Sequence, residues 1–416
     1  MRKCTFHTYI SINKSPFVFQ MRFTSKRYSD FIPIKTTFII EQYYTKEYVL
    51  YIYQLVQLQQ MEAHVLHYIN KLLKICCILF SIFLFLIVLF TTNYGKELRV
   101  TVAESILTSQ HPQFAKYTFL SKKELEQLTN QIYNPVWNNN DLSSNENLTA
   151  IQIKERKLAP LKIDVEKIVS NGRSKFPFQG YLVTVSNPFN VKLVSQKGSQ
   201  GEGKGEKIGV MAKRNHALLA VNASGFNDET GRGGGDIATG IVIENGKTVD
   251  TNHDSNTAAF VSALTKEGIM LTGKYSTQYL LDKHVVSAAG FMPQLIVNGK
   301  KMITGGDGGW GSAPRTVMAQ KKDGTILFLV IDGRQAHSIG ATLRECQDIL
   351  YEQGAINAMA MDGGSSSTLY LCGEIKNSPS TLSHEDRFLP NAWIVTVNPN
   401  QQVEITVDGK RVESKD

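Results

Sequence analysis

Cysteine is scarce in this chain of 416 residues. Three of the five cysteines lie within the first 77 residues, which leaves Cys346 and Cys372 for the remainder. Two cysteines without C-x-x-C spacing do not form the pattern of a structural zinc site. They leave two interpretations open, a disulfide in an oxidising compartment or two separate buried thiols.

An excess of positive charge is missing from most of the chain, although its net charge is +8. Residues 1–74 hold ten Lys or Arg and four Asp or Glu, so +6 of the +8 lies there. From residue 75 onward, 35 basic residues are balanced by 33 acidic ones. The charge therefore marks one segment, and we predict no nucleic-acid partner.

Charge of either sign is absent from residues 75–92, ICCILFSIFLFLIVLFTT. A bilayer-spanning helix needs about 17–25 apolar residues. Lys71 and Lys74 precede the run, which by the positive-inside rule places the N-terminus in the cytoplasm. We therefore predict a single-pass cell-membrane anchor over 71–92, with an extracytoplasmic domain after it. A signal peptide and a buried core helix are the alternatives, and no A-x-A-like cleavage site follows.

The remaining sequence divides by composition. Residues 1–60 lack clear periodicity, and we expect a cytoplasmic segment or an upstream extension that is not translated. Residues 93–150 predict a helical stalk and an Asn/Ser-rich linker. Short β-like runs and Asn-Gly turns over 151–400 predict an α+β catalytic domain, with a mixed β-sheet core flanked by helices. Residues 401–416 are expected to be a C-terminal tail.

One stretch of this domain departs from the hairpin pattern. An apolar run ends at Asp332, a helical pattern follows with Thr342 and Glu345 spaced as a capping box, and a second apolar run ends at Asp362. This is the size of a βαβ unit, whose right-handed crossover predicts parallel, neighbouring strands. Both aspartates are then expected at the carboxyl edge of the sheet, where open sheets bind ligands.

No P-loop, nucleophile elbow or H-E-x-x-H motif occurs in the sequence. Paired carboxylates such as Asp332 and Asp362 are typical of glycosidic bond cleavage. Arg315 and Arg334 are suited to bidentate recognition of phosphate or carboxylate. Nearby glycine runs allow backbone N–H groups to approach an anion. These residues predict an anionic-ligand site, and we predict neither a cofactor nor a metal centre.

Each of these residues also has a purely structural interpretation. An Asp-Gly pair after a strand is commonly a turn, which applies to Asp332 and Asp362. Glu345 is explained by a helix cap, and His337 by a solvated loop. The segment GRGGGD reads as a flexible connector, and GGDGGWGS lacks the acidic spacing of an EF-hand.

Five motifs, taken in order, resemble the phosphodiester glycosidase family. They are NASGF, APRTVMAQKKDGTILFLVIDGR, SIGATLRECQDIL, MDGGSSSTLYL and LPNAW, within about residues 160–400. The segments before them resemble the N-terminal regions of membrane-bound bacterial members. The first motif differs from animal members, which have a Gly-Gly-Phe-Phe-like run at this place.

The resemblance implies hydrolysis of a sugar-1-phosphate diester on an extracytoplasmic glycoconjugate or cell-surface polymer. The glycan or sugar phosphate is then the substrate partner. The resemblance and the polar loops together give as catalytic candidates Asp332, Asp362, Arg315, Arg334 and Glu345. They give as substrate-binding candidates Asn222, Phe226, Gly333, His337, Gly363, Gly364, Ser365 and Ser366. Which aspartate acts as acid, base or nucleophile stays open, as does the oligomeric state.

Two other functions remain compatible with the same residues. A non-catalytic module that binds anionic wall polysaccharide would need the basic and glycine-rich loops but not both carboxylates. A metal-dependent phosphodiesterase would lose its activity on chelation, and the sequence contains no convincing ligand cluster for it.

Overall fold

The computed structural model of the chain describes residues 46–109, 111–140, 155–172, 174–198, 204–227, 234–249, 251, 253–381 and 383–412. Predictions for residues 1–45 and most of the linker at 141–150 lie outside these residues. The chain divides into two compact units, with the boundary between Val88 and Leu89.

The described part of the first unit belongs to helix α1 (Lys46–Thr91). Within it, Gln57–Thr91 is long and apolar enough to cross a bilayer, and its most apolar stretch is not buried against other parts of the chain. A signal sequence or the core helix of a soluble protein can meet the same criteria of length and composition. The predicted anchor over 71–92 lies in this helix up to Thr91, and Thr92 caps the next helix.

The second unit includes the helices α2 (Asn93–Leu107), α3 (Lys122–Tyr133), α4 (Ile208–Arg214), α5 (Thr277–Asp282) and α6 (Leu343–Glu352). Its first strands are β1 (Leu161–Val169), β2 (Gln179–Val185), β3 (Val191–Ser195), β4 (Glu206–Lys207), β5 (Ala217–Asn222), β6 (Val242–Glu244), β7 (Lys247–Val249), β8 (Ala259–Thr265), β9 (Met270–Tyr275) and β10 (Val285–Gly290). The later strands are β11 (Gln294–Val297), β12 (Lys300–Lys301), β13 (Arg315–Lys321), β14 (Ile326–Ile331), β15 (Ala355–Met361), β16 (Leu369–Leu371), β17 (Glu374–Ile375), β18 (Phe388–Leu389), β19 (Asn391–Thr396), β20 (Val403–Val407) and β21 (Lys410–Arg411).

These strands form one large sheet, two smaller ones and a short pair. The nine-stranded sheet has the order β12-β11-β15-β13-β14-β2-β1-β20-β21. The five-stranded sheets are β7-β6-β10-β8-β9 and β17-β16-β5-β19-β3, and β18 pairs with β4. Because β1 and β20 are parallel while the other pairs are antiparallel, the large sheet is mixed, as predicted.

The middle strands of the large sheet are apolar on both faces because both faces are covered. Every residue of β14 is buried, as are all residues of β13 except Lys321. Phe328 and Val330 contribute to a core shared with the five-stranded sheets. Their neighbours along the strand pack on the other face with residues of α6. This explains the continuous apolar runs in the sequence, since alternation is expected only where one face is solvated.

The predicted βαβ unit is only partly correct. Strands β14 and β15 run in the same direction, but β13 lies between them and is antiparallel to both. Strand β13, which directly precedes β14 in the chain, forms a hairpin with it. The other edge of β13 pairs with β15. The expectation that β14 and β15 are neighbours is therefore wrong.

Two predicted boundaries also differ from the structure. Strand β20, within the expected tail, extends the large sheet beside β1. Helices α2 and α3, within the expected stalk, belong to the same compact unit as the sheets. Cys346 is buried, Cys372 is half-buried, and neither forms a disulfide.

We expect the pairing of β20 to make Ile405 a stability determinant. Ile405 is 2 % exposed and packs in the central core, so Ile405→Ala should lower the free energy of unfolding by about 2–5 kcal/mol. Urea denaturation of the full chain in detergent, followed by tryptophan fluorescence, measures this change. The matched control is the neighbouring, solvated Glu404→Ala, for which we expect a loss below about 1 kcal/mol. Equal effects of the two variants would contradict the packing described here.

Candidate active site

A cavity of about 340 Å³ opens where β13 begins and β15 ends. Its lining includes the turn from Asp362 to Ser366 and three arginines, Arg315, Arg334 and Arg387. Aromatic rings supply apolar surface, namely Phe226, Phe291 and Trp310. A carboxylate, three arginines and aromatic faces in one cavity form a set of groups suited to an anionic, partly apolar ligand.

The turn after β15 is fixed by backbone bonds to neighbouring segments. The N–H of Asp362 donates to the carbonyl of Ala223 at 3.0 Å, and the N–H of Gly364 donates to the carbonyl of Pro314 at 2.9 Å. Gly364 has φ +60°, and a Cβ there would lie 3.2 Å from Nη1 of Arg334. Glycine is therefore required for this backbone and for the close approach of the guanidinium.

Asp362 is half-buried in the cavity, and its environment acts on its charge in two directions. Burial raises the pKa of Asp362 to about 6, while the Ser366 hydroxyl, Arg387, the Gly363 N–H and Arg334 act to lower it. Burial dominates because it removes water from the charged form. The carboxyl group therefore changes its protonation state close to neutral pH, as acid–base catalysis requires.

Arg387 is a cavity residue that the sequence analysis missed. Its Nη1 donates to Oγ of Ser365 at 2.8 Å, and its guanidinium carbon lies 4.7 Å from the centroid of the Phe226 ring. Both contacts orient the side chain toward the Asp362 turn. The only signal in the sequence was a basic residue two positions before the LPNAW motif.

Asp332 does not line the cavity. It is 2 % exposed, and its Oδ1 accepts from Nδ2 of Asn377 at 3.0 Å and from the Ser378 N–H at 2.9 Å. Burial raises the pKa of Asp332, and these two bonds oppose the rise. Ile331 packs on the face toward α6 and Met361 on the opposite face, so the residues that follow them point to different faces. The predicted pairing of both aspartates in one site is therefore corrected.

Arg315 borders the cavity, but its donors are engaged by the backbone. Its Nε donates to the carbonyl of Ala341 at 3.1 Å, and its Nη2 donates to those of Trp310 at 2.8 Å and Gly311 at 2.6 Å. The side chain is 6 % exposed. Instead of presenting a free fork to phosphate, Arg315 organises the loop that carries Trp310.

Asn222 holds the turn from Asp362 to Ser366 in place without lining the cavity. Its Nδ2 donates to the backbone carbonyl of Asp362 at 2.6 Å, and its Oδ1 accepts from Oγ1 of Thr316 at 2.8 Å and from the Thr368 N–H at 3.1 Å. Because it is 1 % exposed, it ties β5, β13 and the turn together without facing the cavity. The prediction that Asn222 binds substrate is replaced by this positioning contact.

Three other predicted site residues lie outside the cavity lining. The Oε2 of Glu345 accepts from the N–H and Oγ1 of Thr342 at 2.7 and 2.9 Å, which is the predicted capping box. His337 lies exposed in a turn. Gly333 allows a close contact, since a Cβ there would lie 2.7 Å from the backbone nitrogen of Pro314. Among the residues that the structure describes, no three His, Cys, Asp or Glu side chains are grouped as a metal site would need.

Comparisons with known proteins agree with a carbohydrate-processing class. Residues 215–396 match the family model described as phosphodiester glycosidase. The chain is 27% identical over 186 residues to the SPbeta prophage-derived uncharacterized protein YomE of Bacillus subtilis, covering 42% of this chain and 27% of that protein. It is 25% identical over 234 residues to N-acetylglucosamine-1-phosphodiester alpha-N-acetylglucosaminidase of Bos taurus, covering 51% and 42% respectively. The chain thus spans less than half the length of the curated relatives it matches.

A solved structure shares the fold. It is the catalytic domain of the zebrafish N-acetylglucosamine-1-phosphodiester alpha-N-acetylglucosaminidase, auto-inhibited by its pro-peptide, with a TM-score of 0.50 and 20% identity. The alignment covers 64% of this chain and 90% of that domain. Residues 215–396 are therefore similar in sequence to the phosphodiester glycosidase family.

We expect Arg315 to be required for stability because a lysine cannot reach three carbonyls at once. Arg315→Lys should lower the free energy of unfolding by at least about 2 kcal/mol, since each charged hydrogen bond contributes roughly 1.5–3 kcal/mol. Urea denaturation measures the loss. The control is Arg344→Lys, whose Nη1 makes one exposed bond to the carbonyl of Gly306. If both variants unfolded at the same urea concentration, the proposed anchoring by Arg315 would be wrong.

Proposed function

We propose that this protein hydrolyses a sugar-1-phosphate diester. Water attacks the anomeric carbon, the bond from that carbon to the phosphate oxygen breaks, and the products are the free sugar and a phosphomonoester. The observation that carries this proposal is a carboxyl group with a pKa of about 6, Asp362, which shares a cavity with Arg334 and Arg387. The match of residues 215–396 to the phosphodiester glycosidase family model supports the reaction class.

The phosphate is assigned to Arg334 and Arg387, two of the three arginines that line the cavity. Arg334 packs over Gly364 and Arg387 bonds to Ser365, so both guanidinium groups border the same turn. Guanidinium groups stabilise the charge that grows on a departing phosphate. The backbone N–H of Ser365 and the hydroxyl of this residue are further donors at the same place. Arg387 takes the role that the sequence suggested for Arg315.

Asp362 is assigned to the water molecule. In its ionised form it takes a proton from the attacking water, and the resulting carboxyl group returns that proton to solvent. A phosphomonoester leaves readily once its charge is neutralised, so a second carboxylate is not needed to protonate it. Asp332 then acts as a positioning residue. It lies two residues before Arg334 in the chain, and its carboxylate fixes the segment at Asn377 and Ser378 through two hydrogen bonds.

The location of the substrate follows from the predicted membrane topology. A single anchor with Lys71 and Lys74 on its cytoplasmic side would place the cavity outside the cytoplasm. Substrates there include glycoconjugates and surface polymers in which sugars are joined through phosphodiesters. Conversion of such a polymer would release one sugar for each diester hydrolysed.

Asp362→Asn should abolish sugar release because the amide cannot accept the proton of water. We expect kcat to fall by roughly 10²–10⁴-fold, the usual contribution of general acid–base catalysis. For the unsubstituted protein, kcat/KM should fall below about pH 6, since protonation of Asp362 removes the base. Sugar release from synthetic sugar-1-phosphate methyl diesters, measured from pH 4 to 9, tests both expectations.

The control for this experiment is Asp282→Asn, which changes an exposed aspartate on α5. Thermal unfolding of each variant establishes that the fold is retained. Near-normal turnover by folded Asp362→Asn protein would overturn the assignment. Binding of the diesters without hydrolysis by the unsubstituted protein would favour the polysaccharide-binding module instead.

Arg387→Ala should weaken phosphate binding. We expect kcat/KM for the diester to fall roughly 10- to 100-fold, because a charge-assisted hydrogen bond contributes about 1.5–3 kcal/mol. The competitive inhibition constant of inorganic phosphate should rise in parallel, which steady-state kinetics can measure. Arg411→Ala on the exposed β21 is the matched control for the loss of one positive charge. An unchanged inhibition constant for phosphate would remove Arg387 from the phosphate site.

A further inference from the structure

The wall of the cavity includes a segment far from the matched domain. Thr108, Ser109 and His111 line the cavity together with Asp362 and the three arginines. These residues follow α2 and lie more than a hundred positions before residue 215, where the family match begins. The predicted stalk therefore contributes directly to the site.

Helix α2 packs closely against the loop before β13, which borders the cavity. Gly311 has φ +59°, and a Cβ there would lie 2.2 Å from Oγ of Ser105 and 2.6 Å from the carbonyl of Thr101. The Nζ of Lys175 donates to Oγ1 of Thr101 at 2.5 Å. Since Arg315 bonds to the carbonyl of Gly311, the loop that borders the cavity also supports α2.

Apolar and polar contacts extend this attachment along the N-terminal segment. Leu107, Ala115 and Ile132 form a buried cluster, against which the cavity residue Trp310 packs. Farther along, Nδ2 of Asn140 donates to the carbonyl of Met270 at 2.9 Å. The described residues from α2 to residue 140 thus contact both the cavity loop at Trp310 and strand β9. These buried contacts hold the segment against the rest of the unit.

The chemistry of this wall differs from that of the arginines. It contains the C-terminal end of α2, where helix carbonyls carry partial negative charge that disfavours a phosphate. Oγ of Ser109 donates to the carbonyl of Ile106 at 2.7 Å and accepts from the N–H of His111 at 3.1 Å, which fixes the turn. The ring of His111 lies 5.9 Å from that of Phe114. An imidazole and hydroxyl oxygens fit a neutral group rich in hydroxyls.

We propose that the segment after α2 is the sugar-binding wall of the active site, in which His111 hydrogen-bonds a ring hydroxyl of the sugar. The inference rests on the proposed function, because that function supplies a substrate with one charged and one neutral half. Arg334 and Arg387 bind the phosphate, and Thr108, Ser109 and His111 face the sugar. His111 is then a specificity-determining residue outside the matched domain.

The test compares His111→Ala with His111→Gln in the full chain. The substrates are the methyl phosphodiesters of glucose-1-phosphate and N-acetylglucosamine-1-phosphate, and glucose analogues that lack one ring hydroxyl at a time. We expect His111→Ala to raise KM about 3- to 10-fold with little change in kcat, the effect of one neutral hydrogen bond, and His111→Gln to restore part of it. For one deoxy analogue the effect of His111→Ala should disappear, because that substrate already lacks the contact.

The control variant is Lys123→Ala, an exposed change on the neighbouring helix α3. Unchanged kinetics of His111→Ala would overturn the inference, and so would a rise in activity, which would make the segment an inhibitor. If the unsubstituted protein hydrolyses none of the diesters, the proposed function fails. In that case, calorimetry measures the dissociation constants of the same diesters for Asp362→Asn protein with and without His111→Ala. Binding that is 3- to 10-fold weaker with His111→Ala would support the sugar-binding wall. Equal dissociation constants, or no binding at all, would overturn it.

Discussion

The arrangement of the cavity depends on the insertion of β13 between β14 and β15. Pro314, directly before this strand, contacts the loops that leave both neighbours. A Cβ at Gly333 would lie 2.7 Å from its backbone nitrogen, and one at Gly363 would lie 2.9 Å from its carbonyl oxygen. The same carbonyl accepts the N–H of Gly364. One residue thus fixes the spacing of the two loops, and only glycine permits these approaches.

This constraint explains why residues of similar chemistry have different tasks. The first residue of β13, Arg315, points into the packed face beneath the cavity and satisfies backbone carbonyls there. Arg334 and Arg387 come from loops at the rim and border Asp362. Burial of Asp362 outweighs the attraction of both cations, which leaves its pKa near neutrality. The site therefore combines a positive electrostatic field with a carboxyl group able to exchange a proton.

The cavity is assembled from segments that are distant in the chain. Its lining includes residues 108, 109 and 111, the loops after β5, β14 and β15, the loop before β13 and the segment before β18. Strand β20 extends the nine-stranded sheet, whose strands β13, β14 and β15 carry several of these loops. The region required for the site is consequently larger than the part that matches the family model at residues 215–396.

The sequence by itself determined the features that arise from neighbouring residues. The capping box of Thr342 and Glu345 and the tight turn at Asn298 and Gly299, both with positive φ, form as predicted because their contacts span only a few positions. The position of Asp362 at a strand end was predictable for the same reason. Tertiary structure alone decided that Asp332 turns away, that Arg315 serves the backbone, and that Arg387 and His111 reach the cavity. These outcomes depend on strand order and on contacts between separate segments, such as Asp332 with Asn377 and Arg387 with Ser365, which no local pattern records.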